Sequence, residues 1–263
     1  MKYRVVDAFT QQKFCGNSAA VCLLEVGLTD EELQGIAAEF NLSETAYIES
    51  LANGQWSLRW FTPAMEVNLC GHATLAAAHA LWTEFGVNDE VLRFITRSGE
   101  LTVTRNNDVM AMRFPLTMTS QVDAGRWAHS VVDPSLLRGA AEAGEDLLIE
   151  LLSADAVQRF VPDLVSIAAL KSRGLIVTAA ADSASPIDFV SRFFAPNAGI
   201  NEDPVTGSAH CALAHYWSLK TGKNTFSARQ VSSRGGALDI CIDGDVVVLS
   251  GYAVTTMKGE LLI

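Results

Sequence analysis

The stretch MEVNLCGHATLAAAHALW at 65–82 returns in altered form as NEDPVTGSAHCALAHYW at 201–217, and whether it is one phrase written twice decides the fold. Setting RWFTP (59–63) on RFFAP (192–196), with three extra residues in the second copy, brings Glu66 onto Glu202, Gly71 onto Gly207 and His79 onto His215. The match continues upstream. ELQGIAAEF before ETAYIES resembles DLVSIAAL before GLIVTAA, so Ile36, Ala37 and Ala38 meet Ile167, Ala168 and Ala169. Ala-rich helices look alike by chance, but a chance likeness would not carry the neighbouring strands in the same order; a diverged duplication is the simplest account.

Bulk properties narrow the partners. A chain of 263 residues, 49% apolar and 19% charged, has ample material for a core and length for one large domain or two small ones. Thirty acidic against nineteen basic side chains give a net charge of −11, which repels a nucleic-acid backbone and an anionic membrane surface. No apolar run is long enough to span a bilayer, and the start MKYRVVDAFT places charges where a signal peptide needs an apolar core, so a cytoplasmic protein is expected. Five cysteines without CxxC spacing fit neither a disulfide framework nor a zinc site and read as small buried apolar residues.

Periodicity and punctuation predict an α+β pattern rather than regular βαβ alternation. YRVVDAF, AAVCLL, TAYIES, WSLRWF, VLRFIT, LTVTR and VMAMRF read as strands in the first half. Thr29 and Glu32 form a capping box ahead of DEELQGIAAEF, and a second helix follows Gly71. The second half repeats this, with helices near 161–170 and 209–219 and strands near 175–179, 188–194, 227–231, 238–242 and 246–250. The polar, Gly-containing runs TMTSQVDAGRW and LRGAAEAGED place the boundary near 118, giving halves 1–118 and 119–263 with a cleft between them.

In each copy a glycine, Gly71 or Gly207, stands immediately before an Ala-rich helix. Unpaired N–H groups at such a helix start, reinforced by the helix dipole, suit a small anion; with no Walker or GxGxxG loop in the chain, a substrate carboxylate is the expected one. The copies then differ. His72 stands where Ser208 stands, Asp203 where Val67 stands, and Cys70 where Thr206 stands, while Glu66 and Glu202 are shared and read as structural. Glu44, in NLSETAY, has an apolar counterpart near Leu175 and sits at the mouth of a strand among apolar residues, which suits proton transfer.

Together, DAFTQQKFCGNSAAVCLL, NLSETAY, TPAMEVNLCGHATLAAAHAL and RFFAPNAGINEDPVTGSAH resemble, in order and spacing, the signatures of the phenazine-biosynthesis PhzF-like family. The resemblance implies a diaminopimelate-epimerase-like fold: two pseudo-symmetric halves, each a sheet or barrel around a central helix, with the active site in the cleft. It implies a cofactor-independent isomerase that moves a proton on a small carboxylate substrate, needing no metal, flavin, PLP or nicotinamide, and a homodimer. Glu44 matches the proton-transferring residue, and His72 and Asp203 match its polar partners. Ser208, Gly71, Ala73 and Gly207 match groups that hold the substrate carboxylate, and Asn17 and Ser43 match positions lining the pocket. Ser18 and Tyr47 depart from the more usual proline and phenylalanine. Two alternatives stay open: a cysteine-dependent amino-acid epimerase or racemase, for which Cys70 lacks a second thiol opposite it, and a protein that binds a small acid without turning it over.

Overall fold

The computed structural model describes residues 1–123 and 125–263. In chain order its first elements are β1 (Lys2–Ala8), β2 (Asn17–Leu23), α1 (Asp30–Phe40), β3 (Glu44–Ser50), β4 (Trp56–Phe61), β5 (Glu66–Val67), α2 (Gly71–Thr83), β6 (Val91–Thr96), β7 (Gly99–Asn106), β8 (Val109–Pro115) and β9 (Thr119–Gln121). There follow α3 (Gly125–His129), β10 (Leu137–Ala143), β11 (Asp146–Leu151), α4 (Ala154–Arg159), α5 (Leu164–Ala168), β12 (Leu175–Ala180), β13 (Phe189–Ala195) and β14 (Ile200–Asp203). The last are α6 (Gly207–Thr221), β15 (Thr225–Gln230), β16 (Gly236–Asp243), β17 (Val246–Gly251) and β18 (Ala253–Glu260).

The chain divides into two compact units, one of Met1–Arg113 with Ser250–Ile263 and one of Phe114–Leu249. This differs from the expected halves at the C-terminus. β18 pairs antiparallel along the whole of β1, from Lys2 opposite Glu260 to Ala8 opposite Ala253, so the last strand completes the first unit. Its sequence, AVTTMKGE, has no buried alternation, which is why periodicity misses it.

Inside each unit the strand ladders follow one plan. In the first, β1–β2 is antiparallel, β2–β3 parallel, β3–β4 antiparallel, β4–β6 parallel and β6–β7 antiparallel. In the second, β10–β11, β11–β12, β12–β13, β13–β15 and β15–β16 repeat those senses in that order. The repeat read in the sequence is therefore a repeat of architecture. A shared clamp locks it: Arg59 donates to both carboxylate oxygens of Glu66 at 2.8 and 2.7 Å, and Arg192 does the same to Glu202 at 2.7 and 2.9 Å. Each guanidinium also lies over a phenylalanine of its own strand, Phe61 at 5.1 Å and Phe194 at 4.9 Å.

The central helices need no polar face. α2 buries ten residues, from His72 to Trp82, and α6 buries ten from Gly207 to Trp217, as a helix enclosed by protein on all sides must. Their alanines allow strands to approach closely; α2 packs on β1, β2, β3 and β18. The capping box forms as expected, with Thr29 accepting from the Glu32 N–H and the Glu32 carboxylate accepting from the Thr29 N–H. Tyr47 takes the place of the more usual phenylalanine by donating its hydroxyl to the Leu33 carbonyl at 2.6 Å, which secures α1 against β3.

The region around 118 is more structured than its composition suggests. LRGAAEAGED is the β10–β11 hairpin, turned at Gly144 with φ of +65°. Its small residues are there for room: a Cβ on Gly139 would stand 3.1 Å from the Tyr216 hydroxyl, and Ala140, Ala141 and Ala143 are buried. The helix expected near 161–170 shortens to α5, capped by Asp163 after Pro162, and α4 precedes it unanticipated.

Candidate functional site

In the first unit, three chain segments bring their starts together. β2 and β3 are parallel neighbours that begin at Asn17 and Glu44, and α2 begins at Gly71, one residue before His72. His72 Nε2 stands 3.0 Å from Glu44 Oε2, and Asn17 Nδ2 stands 3.1 Å from His72 Nδ1. Cys70 Sγ lies 3.4 Å from the same Nδ1. All four side chains are buried. Although close, Glu44 Oε2 and His72 Nε2 are not aligned as a well-directed hydrogen bond, and neither atom has one elsewhere among the described residues. Buried polar atoms left so are costly, and they mark places where a bound group completes the bonding. Ser43 is half-buried beside Glu44, and Ala73 lies buried in the first turn of α2.

The start of α2 is open. Its N-cap, Cys70, has extended backbone and makes no side-chain cap, so the N–H groups of the first turn lack an acceptor within the helix. Thr206, the N-cap of α6 in the second unit, has nearly the same backbone and likewise does not cap. In both helices the fourth residue from the glycine bonds back to the N-cap carbonyl, Thr74 Oγ1 to Cys70 O at 2.6 Å and His210 Nδ1 to Thr206 O at 2.7 Å. The two helix starts are thus built alike and left uncapped alike.

What surrounds the second start differs. Thr206 donates its hydroxyl to Asp203 Oδ2 at 2.5 Å and its N–H to Gln230 Oε1 at 2.9 Å, while Gln230 Nε2 donates to the Asp203 carbonyl at 2.6 Å. This buried network fixes Asp203 at the end of β14. Arg173, the second residue before β12, forks onto Asp146 and donates from Nη2 to Ser208 Oγ at 2.9 Å. An acceptor role toward Arg173 leaves the Ser208 hydroxyl proton to be donated elsewhere.

Titration follows from burial and these partners. Burial opposes a charge on His72, but Cys70 and Glu44 outweigh it and hold the imidazole well above its ordinary 6.5. Burial pushes the Cys70 thiol up, Glu44 adds to this, and His72 only partly opposes it, so Cys70 remains a thiol at neutral pH. His210 is driven down to about 4 by burial, against the Thr206 carbonyl, and is neutral. Arg173 is held charged above its usual range by the Asp146 hydrogen bonds, against burial. The donors of Glu44, Cys70 and His72 lie within 4.8 Å of one another, a set that could hold a metal ion.

The first unit brings together Asn17, Ser43, Glu44, Gly71, His72 and Ala73 of the expected residues, and the second brings together Asp203, Gly207 and Ser208. Sequence reading missed Arg173, Asp146 and Gln230. One signal was present: in the register that sets Ile36 on Ile167, Arg173 falls on Leu42, so the loop that carries Glu44 in the first copy carries a cation in the second. Each loop then delivers its charged residue to the position after the helix glycine, Glu44 to His72 and Arg173 to Ser208.

A Pseudomonas aeruginosa protein named an uncharacterized isomerase is 46% identical over 262 residues, covering 97% of this chain and 96% of its own. A crystal structure of a phenazine biosynthesis protein of the PhzF family from Enterococcus faecalis superposes with TM-score 0.93 at 40% identity, covering 100% of this chain and 99% of its own. More distantly, a hydroxyproline epimerase from Agrobacterium vitis, solved with bound trans-4-hydroxy-L-proline, shares the fold with TM-score 0.64 at 11% identity, over 98% and 91% of the two chains. The α+β architecture of duplicated units, each enclosing a helix, is thus the diaminopimelate-epimerase-like fold. Matched by the model for phenazine biosynthesis-like proteins from residue 6 to residue 259, the chain belongs to the PhzC–PhzF family.

Proposed function

We propose that this member of an isomerase family moves a proton between carbons of a small carboxylate substrate, without a cofactor, with Glu44 as the general acid/base. The observation that carries this reading is the buried Glu44–His72 pair, 3.0 Å apart and short of a well-directed hydrogen bond, beside an uncapped helix start. A carboxylate placed there takes an acidic C–H proton. A His72 kept protonated by its surroundings stabilises the negative charge that develops, and the proton is returned at another carbon. Asn17 suits both states of the ring: its Nδ2 donates to Nδ1 of a neutral imidazole, and turning the amide over offers Oδ1 to the Nδ1–H of the charged one.

The first-turn N–H groups beginning at Gly71 and Gly207 are assigned to substrate carboxylate, together with the hydroxyl of Ser208. Arg173 is assigned as the residue that orients that hydroxyl and adds positive charge to the helix start. Asp203, fixed by Thr206 and Gln230, is assigned as the polar partner that the family motif implies. The two-cysteine epimerase reading is disfavoured on physical grounds. Burial keeps Cys70 protonated, and its counterpart Thr206 is engaged with Asp203 and Gln230. Family membership also leads us to expect a cytoplasmic homodimer, which light scattering on the purified chain would test.

The reading is tested by incubating the protein with candidate small carboxylates in D₂O and following the products by mass spectrometry. Deuterium incorporation at carbon supports proton transfer. Tight binding of a carboxylate with no incorporation would instead make the protein a binder.

A further inference from the structure

We propose that Glu44, Cys70 and His72 form a binding site for a zinc-like divalent cation, which acts as an inhibitor of this protein rather than as its cofactor. The set is a carboxylate, a thiol and an imidazole, three side-chain types that zinc favours, and three protein ligands with an open fourth position is a common arrangement. Each offers one donor atom within 4.8 Å of the other two, and all three residues are buried. The spacing of one pair is close to what coordination requires. With Zn–N of about 2.0–2.1 Å and Zn–S of about 2.3 Å, tetrahedral nitrogen and sulfur donors stand about 3.6 Å apart. Cys70 Sγ and His72 Nδ1 stand 3.4 Å apart.

A second observation points the same way. Glu44 Oε2 and His72 Nε2 are buried without a well-directed hydrogen bond among the described residues. A cation accepting electron pairs from the carboxylate and the ring would replace this ill-directed ion pair with directed bonds. The two close contacts use opposite nitrogens of the ring, so to surround one ion the imidazole must turn, or the third donor approach, until donors that now lie within 4.8 Å close to about 3.5 Å. On ligation the Cys70 S–H bond breaks, the thiolate sulfur bonds the metal and the proton goes to solvent. His72 binds through one neutral ring nitrogen, so the proton that makes it imidazolium is also released. That the ion inhibits rests on the reading of Glu44 as proton carrier, because a ligated carboxylate cannot take a substrate proton; that the ion binds does not rest on it.

The test uses the full-length protein, reduced and stripped of metal, titrated with cobalt(II) chloride as an optical probe and then with zinc chloride. One equivalent of cobalt should produce thiolate-to-cobalt charge-transfer absorption, and zinc should bleach it. Cys70→Ser should abolish the band, and His72→Gln, which removes a direct ligand, should weaken cobalt binding by at least about 100-fold, the upper range for losing even an outer-shell partner. Cys211→Ser, at a buried thiol in the second unit, should keep the band, and circular dichroism confirms that each variant is folded. No band at one equivalent, or a band that survives Cys70→Ser in a folded chain, would overturn the proposal; should Cys70→Ser not fold, unchanged cobalt affinity in His72→Gln would do so. A chain that gives the band yet incorporates no deuterium upholds the metal site and removes only the enzyme reading. A chain that incorporates deuterium yet gives no band does the reverse.

Discussion

At the scale of single residues, the loops entering β3 and β12 present opposite charges to matching positions. Glu44 meets His72, and Arg173 meets Ser208. If Arg173 orients Ser208 for a substrate carboxylate, Arg173→Met should weaken carboxylate affinity roughly 10- to 100-fold, the range of one charge-assisted hydrogen bond, with a smaller effect on the chemical rate. Arg173→Lys should recover part of it, and isothermal calorimetry with an accepted carboxylate would read both. His72 makes a pH-dependent prediction. Its folded pKa is raised, so the stability it contributes is complete below the ordinary value of 6.5 and is lost as pH rises through the raised value. Melts of wild type and His72→Gln across that window should therefore converge as pH increases. Much of this was legible in the sequence, because Glu44, His72, Asp203 and Ser208 stand where the two copies disagree. Arg173 was not, because its role depends on Asp146, which is adjacent only once β11 and β12 pair, and on a loop displaced by two residues from the position of Glu44.

At the scale of elements, the duplicated Arg–Glu clamps tie β4 to β5 and β13 to β14, the strand pairs that lead into the two helix starts. Glu66 also accepts from Arg97 at 2.7 Å, and its side chain is only 11% exposed. Glu66→Gln should cost about 1–3 kcal/mol in urea unfolding, the range for an unmade bond to a buried charged group, whereas a wholly solvent-exposed pair would cost well under 1 kcal/mol. α1, α2 and α6 were readable from capping and alanine content, and most strands from their apolar runs, whereas the short helices α3 and α4 were not. The β10–β11 hairpin was not: its glycines and alanines look like a linker in sequence, and only the Tyr216 side chain packed over Gly139 explains why they are small.

At the scale of the whole molecule, the chain leaves the first unit at Arg113 and returns to it at Ser250. Duplication predicts two halves in tandem, but the last strand belongs beside the first, a long-range pairing that no local pattern encodes. Removing residues 250–263 should therefore destabilise the first unit most, with hydrogen exchange rising first in β1; loss of protection confined to the second unit would contradict this. On the proposed mechanism, Glu44 carries the substrate proton. The most direct test is the rate of deuterium incorporation from D₂O into an accepted carboxylate by wild type and Glu44→Gln. The variant should bind the carboxylate yet lose exchange by at least about 100-fold, the lower range for removing a general acid/base. Exchange at the wild-type rate in Glu44→Gln, with exchange lost in Cys70→Ala, would contradict the account and hand the proton to the thiol.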